Sequence, residues 1–157
     1  MPEKILLFIA FMGTLFLPVL YVIEPVFGSA DLRLPGWTGV IGSGALAASV
    51  WLFWRSHRDL GKSWSPTLQV MEEHSLKTEG VYRVMRHPMY ASMWLLCLAQ
   101  LLLIHNWVIG PAGLISFLPM YLIRVPKEEK MMIDHFGADY ERYAARTGRI
   151  LPRFKKG

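Results

Sequence analysis

The chain has 157 residues, of which 53% are apolar, and its 17 Lys and Arg outnumber its 12 Asp and Glu. The mean hydropathy is positive, and the apolar residues form long runs, which is typical of integral membrane proteins. The basic residues flank these runs, with no separate basic stretch with interleaved aromatics, so we expect membrane lipids and no nucleic acid as partners. The single Cys97 excludes an internal disulfide and a zinc-binding cysteine cluster.

Four apolar runs come close to the length of helix, roughly 20 residues, that crosses a hydrocarbon core. They are Ile5–Ile23, Trp37–Trp54, Met89–Ile104 and Trp107–Ile123, and none contains Lys, Arg, Asp or Glu. The first run exceeds the length of a signal-peptide core and follows an acidic Glu3, so we expect a retained helix and not a cleaved leader. The sequence therefore predicts an all-α integral membrane protein of about four transmembrane helices, in a single membrane domain over 1–157.

The distribution of positive charge predicts the topology. Six Lys and Arg lie in 55–88 and nine lie in 124–157, with one before the first helix and one in the first loop. Because positive residues stay on the cytoplasmic side, we expect a multi-pass protein of the cell membrane with both termini in the cytoplasm. Residues 1–54 then hold the first two helices, and 55–157 hold the region that carries the chemistry.

A helix hairpin is predicted at 89–123, because only His105 and Asn106 separate the third and fourth runs. After Ile123, apolar residues recur at helical spacing, which predicts a C-terminal cytoplasmic amphipathic helix that lies against the bundle or the membrane interface. These residues are Met132, Phe136, Tyr140 and Tyr143.

The first of two polar clusters, 74–90, precedes the third helix. Pro88 suits the first helical turn, and His87 with the backbone N–H groups that follow it predicts a helix N-terminus suited to a carboxylate or phosphate. A basic anchor at the membrane interface is the simpler interpretation of the Arg86-His87-Pro88 triplet.

The second cluster, 124–129, follows the fourth helix, and the hairpin places it on the same membrane face as the first. Arg124 can hold an anionic group through a bidentate bond, and Glu128 lies one turn further if the helix continues past Pro126. A surface ion pair is the simpler interpretation of such spacing, and it is the one we expect for Glu129.

Other chemistries lack their motifs. The five His residues show no His-Glu-x-x-His spacing, and no Gly-x-Gly-x-x-Gly, P-loop or Gly-x-Ser-x-Gly occurs. We therefore expect no bound metal and no activated serine nucleophile.

The spaced elements together resemble a known family. They are Leu76-x3-Gly80-Val81-Tyr82-x3-Arg86-His87-Pro88-x-Tyr90, then Glu128-Glu129-x6-Phe136-Gly137-x2-Tyr140-x2-Tyr143, and a closing Pro152. Over about residues 55–154 the chain resembles the isoprenylcysteine carboxyl methyltransferase family of membrane methyltransferases, and its length resembles the compact prokaryotic members. The resemblance implies S-adenosylmethionine as cofactor, and methylation of the carboxylate of a lipophilic, isoprenylcysteine-like acceptor that enters from the bilayer.

The resemblance also implies roles for individual residues. The cofactor-binding positions are Gln69, His74, Ser75, Leu76, Lys77, Tyr82, His87, Pro88, Met89, Tyr90 and Glu128. Arg124 matches the position that handles the acceptor's carboxylate, and Arg86 and Tyr90 complete the catalytic set. Tyr82 or Tyr90 would face the sulfonium by cation–π attraction. An ionised carboxylate needs alignment and exclusion of water, and no general base, to be methylated.

Three alternatives remain open. A phospholipid amine N-methyltransferase would use Arg124 for the acceptor's phosphate. A membrane sterol reductase, related by motif, would need basic residues for a nicotinamide cofactor's additional phosphate, and none is clearly dedicated to it. A non-catalytic four-helix scaffold or a transporter is the third; transporters place ionisable residues near mid-membrane, and the predicted spans have none.

Overall fold

The computed structural model describes residues 3–24, 27–61 and 76–154, which form helices and connecting loops with no β-strand in these ranges. The helices are α1 (Glu3–Ile23), α2 (Trp37–Leu60), α3 (Pro88–Leu103), α4 (Ile109–Phe136) and α5 (Ala138–Arg146). Short 3-10 helices occur at Gly28–Ala30 and Gly80–Arg83. All four predicted apolar runs are helical, which confirms the predicted fold class.

Three of the helices, α1, α2 and α4, are long and apolar enough to cross a membrane. The fourth apolar helix, α3, has 16 residues, fewer than the roughly 20 that a full crossing takes. The described chain therefore contains three helices of membrane-spanning length and a shorter apolar helix packed with them.

The fourth helix ends later than predicted. It continues without a break through Pro126 to Phe136, a length of 28 residues. Proline removes one backbone hydrogen bond, and a helix packed among neighbours tolerates that loss. The helix ends at Gly137, whose φ of 54° favours glycine. The predicted C-terminal amphipathic helix is present as α5, but it begins only after Gly137, because the segment that follows Ile123 first continues α4.

The bundle has two distinct ends. At one end, which we call the polar end, Glu3 at the start of α1 lies 3.2 Å from Arg124 in α4. At the opposite end, the backbone N–H of Leu32 in the loop after α1 donates to the carbonyl of His105, between α3 and α4. The helices thus alternate in direction along the chain. Which end faces the cytoplasm stays a prediction.

The loop before α3 reaches the polar end through a close approach to α2. Gly80 has a φ of 58°, and a Cβ there would lie 2.0 Å from the carboxylate of Asp59. The N–H of Val81 donates to that carboxylate at 2.9 Å, and Arg55 pairs with it from one turn earlier in α2. The Gly-Val pair in the motif therefore positions the loop that leads into α3.

A π-helical turn at Met12–Phe16 interrupts α1. Leu17 donates to the carbonyl of Met12, so the next carbonyl, that of Gly13, would pair with residue 18, and Pro18 has no N–H. The buried Gln100 of α3 supplies the missing donor at 3.0 Å. In lipid an unpaired carbonyl is costly, so this bond fixes α1 against α3.

Candidate functional site

The two polar clusters meet at the polar end. The Tyr90 hydroxyl in the first turn of α3 donates to Glu128 Oε1 in α4 at 2.5 Å. The imidazole of His87, just before α3, lies 3.3 Å from Glu129 Oε1 and 3.7 Å from Glu128 Oε2. The antiparallel hairpin thus places the Arg-His-Pro stretch and the Arg124-to-Glu129 stretch in direct contact.

Arg124 is buried, with 8% of its surface exposed, between two carboxylates. Its Nη2 lies 3.4 Å from Glu128 Oε1, and its Nη1 lies 3.2 Å from Glu3 Oε1. Its Nε has no hydrogen-bond partner among the described residues. Since the helix continues past Pro126, Arg124 and Glu128 do lie one turn apart on α4.

Glu129 is contacted by two arginines and one histidine. Arg86 Nε donates at 3.0 Å, Arg149 Nη2 donates at 2.5 Å, and the His87 imidazole lies at 3.3 Å. The hydrogen bonds from Arg149 raise the pKa of that guanidinium. The prediction of a surface ion pair was therefore wrong for Glu129, because its partners come from distant parts of the chain.

Arg86 also holds the C-terminal end of α5. Its Nη1 donates to the carbonyls of Ala144 and Thr147 at 2.8 and 2.6 Å. Backbone hydrogen bonds join the same stretch to the C-terminal segment, from Arg86 N to the carbonyl of Gly148 and from His87 N to that of Arg149. These contacts are those of a positioning residue, and the catalytic role implied for Arg86 stays a prediction.

Aromatic side chains extend the site along the seam between α3 and α4. The ring of Trp94 lies 5.2 Å from Phe117 and 5.6 Å from Tyr121, and Tyr90 lies 6.1 Å from Tyr121, measured between centroids. The buried Trp94 Nε1 has no hydrogen-bond partner in the described ranges. An apolar seam with an unpaired donor therefore leads from the polar end towards the middle of the bundle.

The remaining predicted positions in the hairpin occupy the start of α3. Pro88 is the first residue of α3 and is fully buried, as expected for a proline in the first turn. Met89 follows it, half-buried, with its carbonyl accepting from Ser92 Oγ. Tyr82 is buried with its carbonyl accepting from the Tyr143 hydroxyl at 2.6 Å, and burial raises the pKa of Tyr82.

The predicted positions upstream are placed only in part. Leu76 is half-buried and Lys77 is exposed, both in irregular backbone before the 3-10 helix. Gln69, His74 and Ser75 lie outside the described residues. Their contribution to the cofactor site stays a prediction.

Two residues of the site were not found from the sequence. Glu3 drew notice only as an acidic residue before the first apolar run, and its pairing with Arg124 depends on how α1 packs on α4. Arg149 lies in a basic tail with no feature that separates it from its neighbours.

A separate apolar groove of about 420 Å³ lies at the opposite end of the bundle. Its walls include Leu32, Pro35, Trp37, Leu101, Trp107 and Pro111. Thr38 and Asn106 are the polar residues among its lining, and no charged side chain of the described residues belongs to it, so the groove suits an apolar ligand better than a charged one.

Fold and site together define a helical membrane protein whose polar site is built on a helix hairpin at one end of the bundle. The sequence model of the isoprenylcysteine carboxyl methyltransferase (ICMT) family matches residues 40–134, which include all of α3 and most of α2 and α4. The chain belongs to this family.

Curated relatives match a similar part of the chain. Protein-S-isoprenylcysteine O-methyltransferase B of Arabidopsis thaliana is 30% identical over 94 residues, which cover 59% of this chain and 48% of the relative. The Homo sapiens protein-S-isoprenylcysteine O-methyltransferase is 29% identical over 84 residues, 54% of this chain and 30% of the relative. The chain spans about half the length, or less, of these relatives.

A solved structure has a similar fold. The eukaryotic intramembrane Ras methyltransferase ICMT, solved without a monobody, superposes with a TM-score of 0.65 at 22% identity. The match covers 97% of this chain and 53% of that chain. It therefore includes α1 and α5, which lie outside the family match.

Proposed function

We propose that this protein is an S-adenosylmethionine-dependent methyltransferase that esterifies the carboxylate of a lipophilic, isoprenylcysteine-like acceptor at the cytoplasmic face of the membrane. The observation that carries the proposal is the buried Arg124, which faces Glu128 and adjoins the start of α3 in a chain of the ICMT family. The relatives named as isoprenylcysteine O-methyltransferases support the reaction and the acceptor class.

Three features of the polar end support binding of both ligands that this reaction needs. Arg124 Nε and Trp94 Nε1 are buried donors without partners among the described residues, a state that a ligand bearing acceptor atoms would relieve. The carboxylate of Glu128 suits an ammonium or ribose hydroxyls, and the Tyr90 ring beside it suits a sulfonium through cation–π attraction. When bound, S-adenosylmethionine would supply an electrophilic methyl group.

The residues at hand provide orientation and electrostatics. The planar guanidinium of Arg124 would hold the acceptor's carboxylate in a bidentate bond, with one oxygen aimed at the methyl group. The N–H groups of Met89 and Tyr90 in the first turn of α3, with the His87 imidazole beside them, would bind a carboxylate of the cofactor. No side chain has to remove a proton, because the acceptor is already ionised at neutral pH. The seam lined by Trp94 and Phe117 would exclude water and receive the lipid chain.

The experiment is binding and turnover in detergent with radiolabelled S-adenosylmethionine and a farnesyl thioether carboxylic acid. Saturable cofactor binding and transfer of label into a base-labile ester are expected. Absence of saturable cofactor binding would contradict the proposal, and label transferred only to a phospholipid amine would favour the N-methyltransferase alternative.

Replacing Arg124 separates the two ligands. In Arg124→Ala, we expect turnover on the carboxylate to fall by about a hundredfold or more, as when one charge-stabilising donor is removed from an active site. Cofactor affinity should change far less. Arg142→Ala, which removes an exposed arginine paired with Asp139 on α5, is the matched control and should keep full turnover. Equal loss of cofactor binding and turnover in Arg124→Ala would contradict the role proposed for Arg124.

A further inference from the structure

Glu3 occupies the guanidinium that the proposed reaction needs. Its Oε1 lies 3.2 Å from Arg124 Nη1, and Glu3 is the first residue of α1, at the polar end of the bundle. Glu3 lies outside residues 40–134, the part of the chain that the family match covers. The proposed reaction assigns it no role.

The contact is an ion pair without good hydrogen-bond geometry. Glu3 Oε1 is buried, yet it makes no hydrogen bond within the described ranges, and neither does the neighbouring Arg124 Nε. A guanidinium and a carboxylate that have evolved as a structural pair usually satisfy each other through two parallel bonds. Here Glu3 helps to neutralise the charge of Arg124, but the Arg124 Nε–H remains without an acceptor among the described residues.

Glu3 is also the partner that can leave most easily. The side chain of Glu3 is 33% exposed, whereas that of Arg124 is 10% exposed and that of Glu128, one turn away on the same helix, is 20% exposed. Glu3 sits in the first turn of α1, where backbone constraints are weakest. Glu128 is held in addition by the Tyr90 hydroxyl at 2.5 Å, while Glu3 has no second partner among the described residues.

From these contacts we infer that Glu3 is a displaceable stand-in for the acceptor's carboxylate. It neutralises the buried Arg124 while the acceptor is absent, and the incoming carboxylate takes its place on the guanidinium. The inference rests on the proposed function in one respect, namely that the ligand of Arg124 is a carboxylate. Because Glu3 competes for the guanidinium, it lowers the affinity of the site for anionic lipids. It should not change the affinity for neutral lipids, which do not pair with Arg124. Glu3 would therefore raise the concentration of acceptor at which the site fills.

The test measures lipid binding without any cofactor, by quenching of tryptophan fluorescence in detergent. The probes are a farnesyl thioether carboxylic acid and its methyl ester, which has the same chain and no charge. In Glu3→Gln, which keeps the shape and removes the charge, we expect the acid to bind about fivefold more tightly, the size of a partly exposed ion pair. Affinity for the methyl ester should stay unchanged.

Two further variants complete the design. Glu3→Asp retains the charge and should bind the acid much as the unmodified protein does. Glu141→Gln removes the same charge from an exposed position on α5 and should leave both affinities unchanged. Weaker or unchanged binding of the acid by Glu3→Gln would overturn the inference, since Glu3 would then be holding Arg124 in position or be irrelevant to it.

The failure of the proposed function has a different signature. If the protein binds no S-adenosylmethionine, the methyltransferase proposal is contradicted. Tighter binding of the acid by Glu3→Gln would still support the inference that Glu3 occupies the acceptor's place on Arg124. If neither the unmodified protein nor Glu3→Gln binds the acid saturably, that inference is overturned, whether or not the cofactor binds.

Discussion

Single side chains at the polar end take their roles from partners far away in the sequence. Glu128 and Glu129 are adjacent, yet Glu128 faces Arg124 and Tyr90, and Glu129 faces Arg86 and Arg149. The helix turns successive residues by about 100°, so the pair serves two different groups. Glu128 lies on the side of the proposed ligands, and Glu129 joins the structural contacts around them.

We expect Glu129→Gln to destabilise the fold by about 2 kcal/mol, because it removes the half-buried carboxylate charge that pairs with Arg86 and Arg149. The loss should appear as a lower midpoint of thermal unfolding in detergent. Asp139→Asn, which removes an exposed carboxylate paired with Arg142, is the control and should cost less than about 0.5 kcal/mol. Similar midpoints for the two variants would mean that Glu129 stabilises nothing beyond a surface pair.

At the scale of the elements, α1 depends on a close approach that only glycine permits. Leu6, Ala10 and Gly13 are buried and lie on one face of α1, which packs on α3 and α4. A Cβ on Gly13 would lie 2.1 Å from Ser116 Oγ and 2.5 Å from the carbonyl of Ala112. The backbone oxygen cannot rotate away, so any larger residue must push the two helices apart.

We therefore expect Gly13→Ala to destabilise the protein by about 1–3 kcal/mol, as overpacking does. Gly44→Ala is the matched control in α2, where a Cβ would meet nothing within 4 Å, and it should be neutral or slightly stabilising. Thermal unfolding of the two variants in the same detergent compares them. Because α1 also carries Glu3, Gly13→Ala should loosen the Glu3 contact with Arg124 as well.

The short helix α5 is attached through buried tyrosines. Tyr140 and Tyr143 are 2% and 3% exposed, and burial raises the pKa of Tyr140 to about 12. A raised pKa in the folded state means that the neutral form is favoured by folding. This stabilisation is fully present below the ordinary value near 10 and is lost as the pH rises through about 12.

The corresponding measurement is thermal stability between pH 9 and 12. We expect Tyr140→Phe, which cannot ionise, to lose less stability over this range than the unmodified protein. Tyrosinate absorbance near 295 nm should show that Tyr140→Phe has one tyrosine fewer that ionises at high pH than the unmodified protein. Parallel loss of stability in both proteins would contradict the burial of a neutral Tyr140 hydroxyl.

For the molecule as a whole, the arrangement of helices makes a prediction about sidedness. Arg33 is exposed in the loop at the opposite end, and Glu141 is exposed on α5 at the polar end, while Cys97 is fully buried. In intact bacterial cells, a membrane-impermeant maleimide should label Arg33→Cys and leave Glu141→Cys unlabelled until the membrane is permeabilised. Labelling in the reverse order would place the polar end outside and contradict the cytoplasmic site.

The sequence by itself determined the helices, their alternation and the identity of the polar stretches. Long apolar runs, the short His105-Asn106 connection and Pro88 at a helix start are local signals, since a membrane-spanning helix satisfies its own backbone. The ordered motif elements also indicated the family, and the hairpin that follows from them brings His87 and Tyr90 to Glu128 and Glu129.

Only the tertiary structure decided which side chains complete the site. The continuation of α4 through Pro126 depends on neighbouring helices that compensate for the lost hydrogen bond. Glu3 contacts Arg124, which lies more than a hundred and twenty positions further along the chain. Arg149 contacts Glu129, which lies twenty positions earlier. Such pairs carry no periodic signal, because they arise where separate helices and loops happen to pack, and packing is a property of the whole bundle.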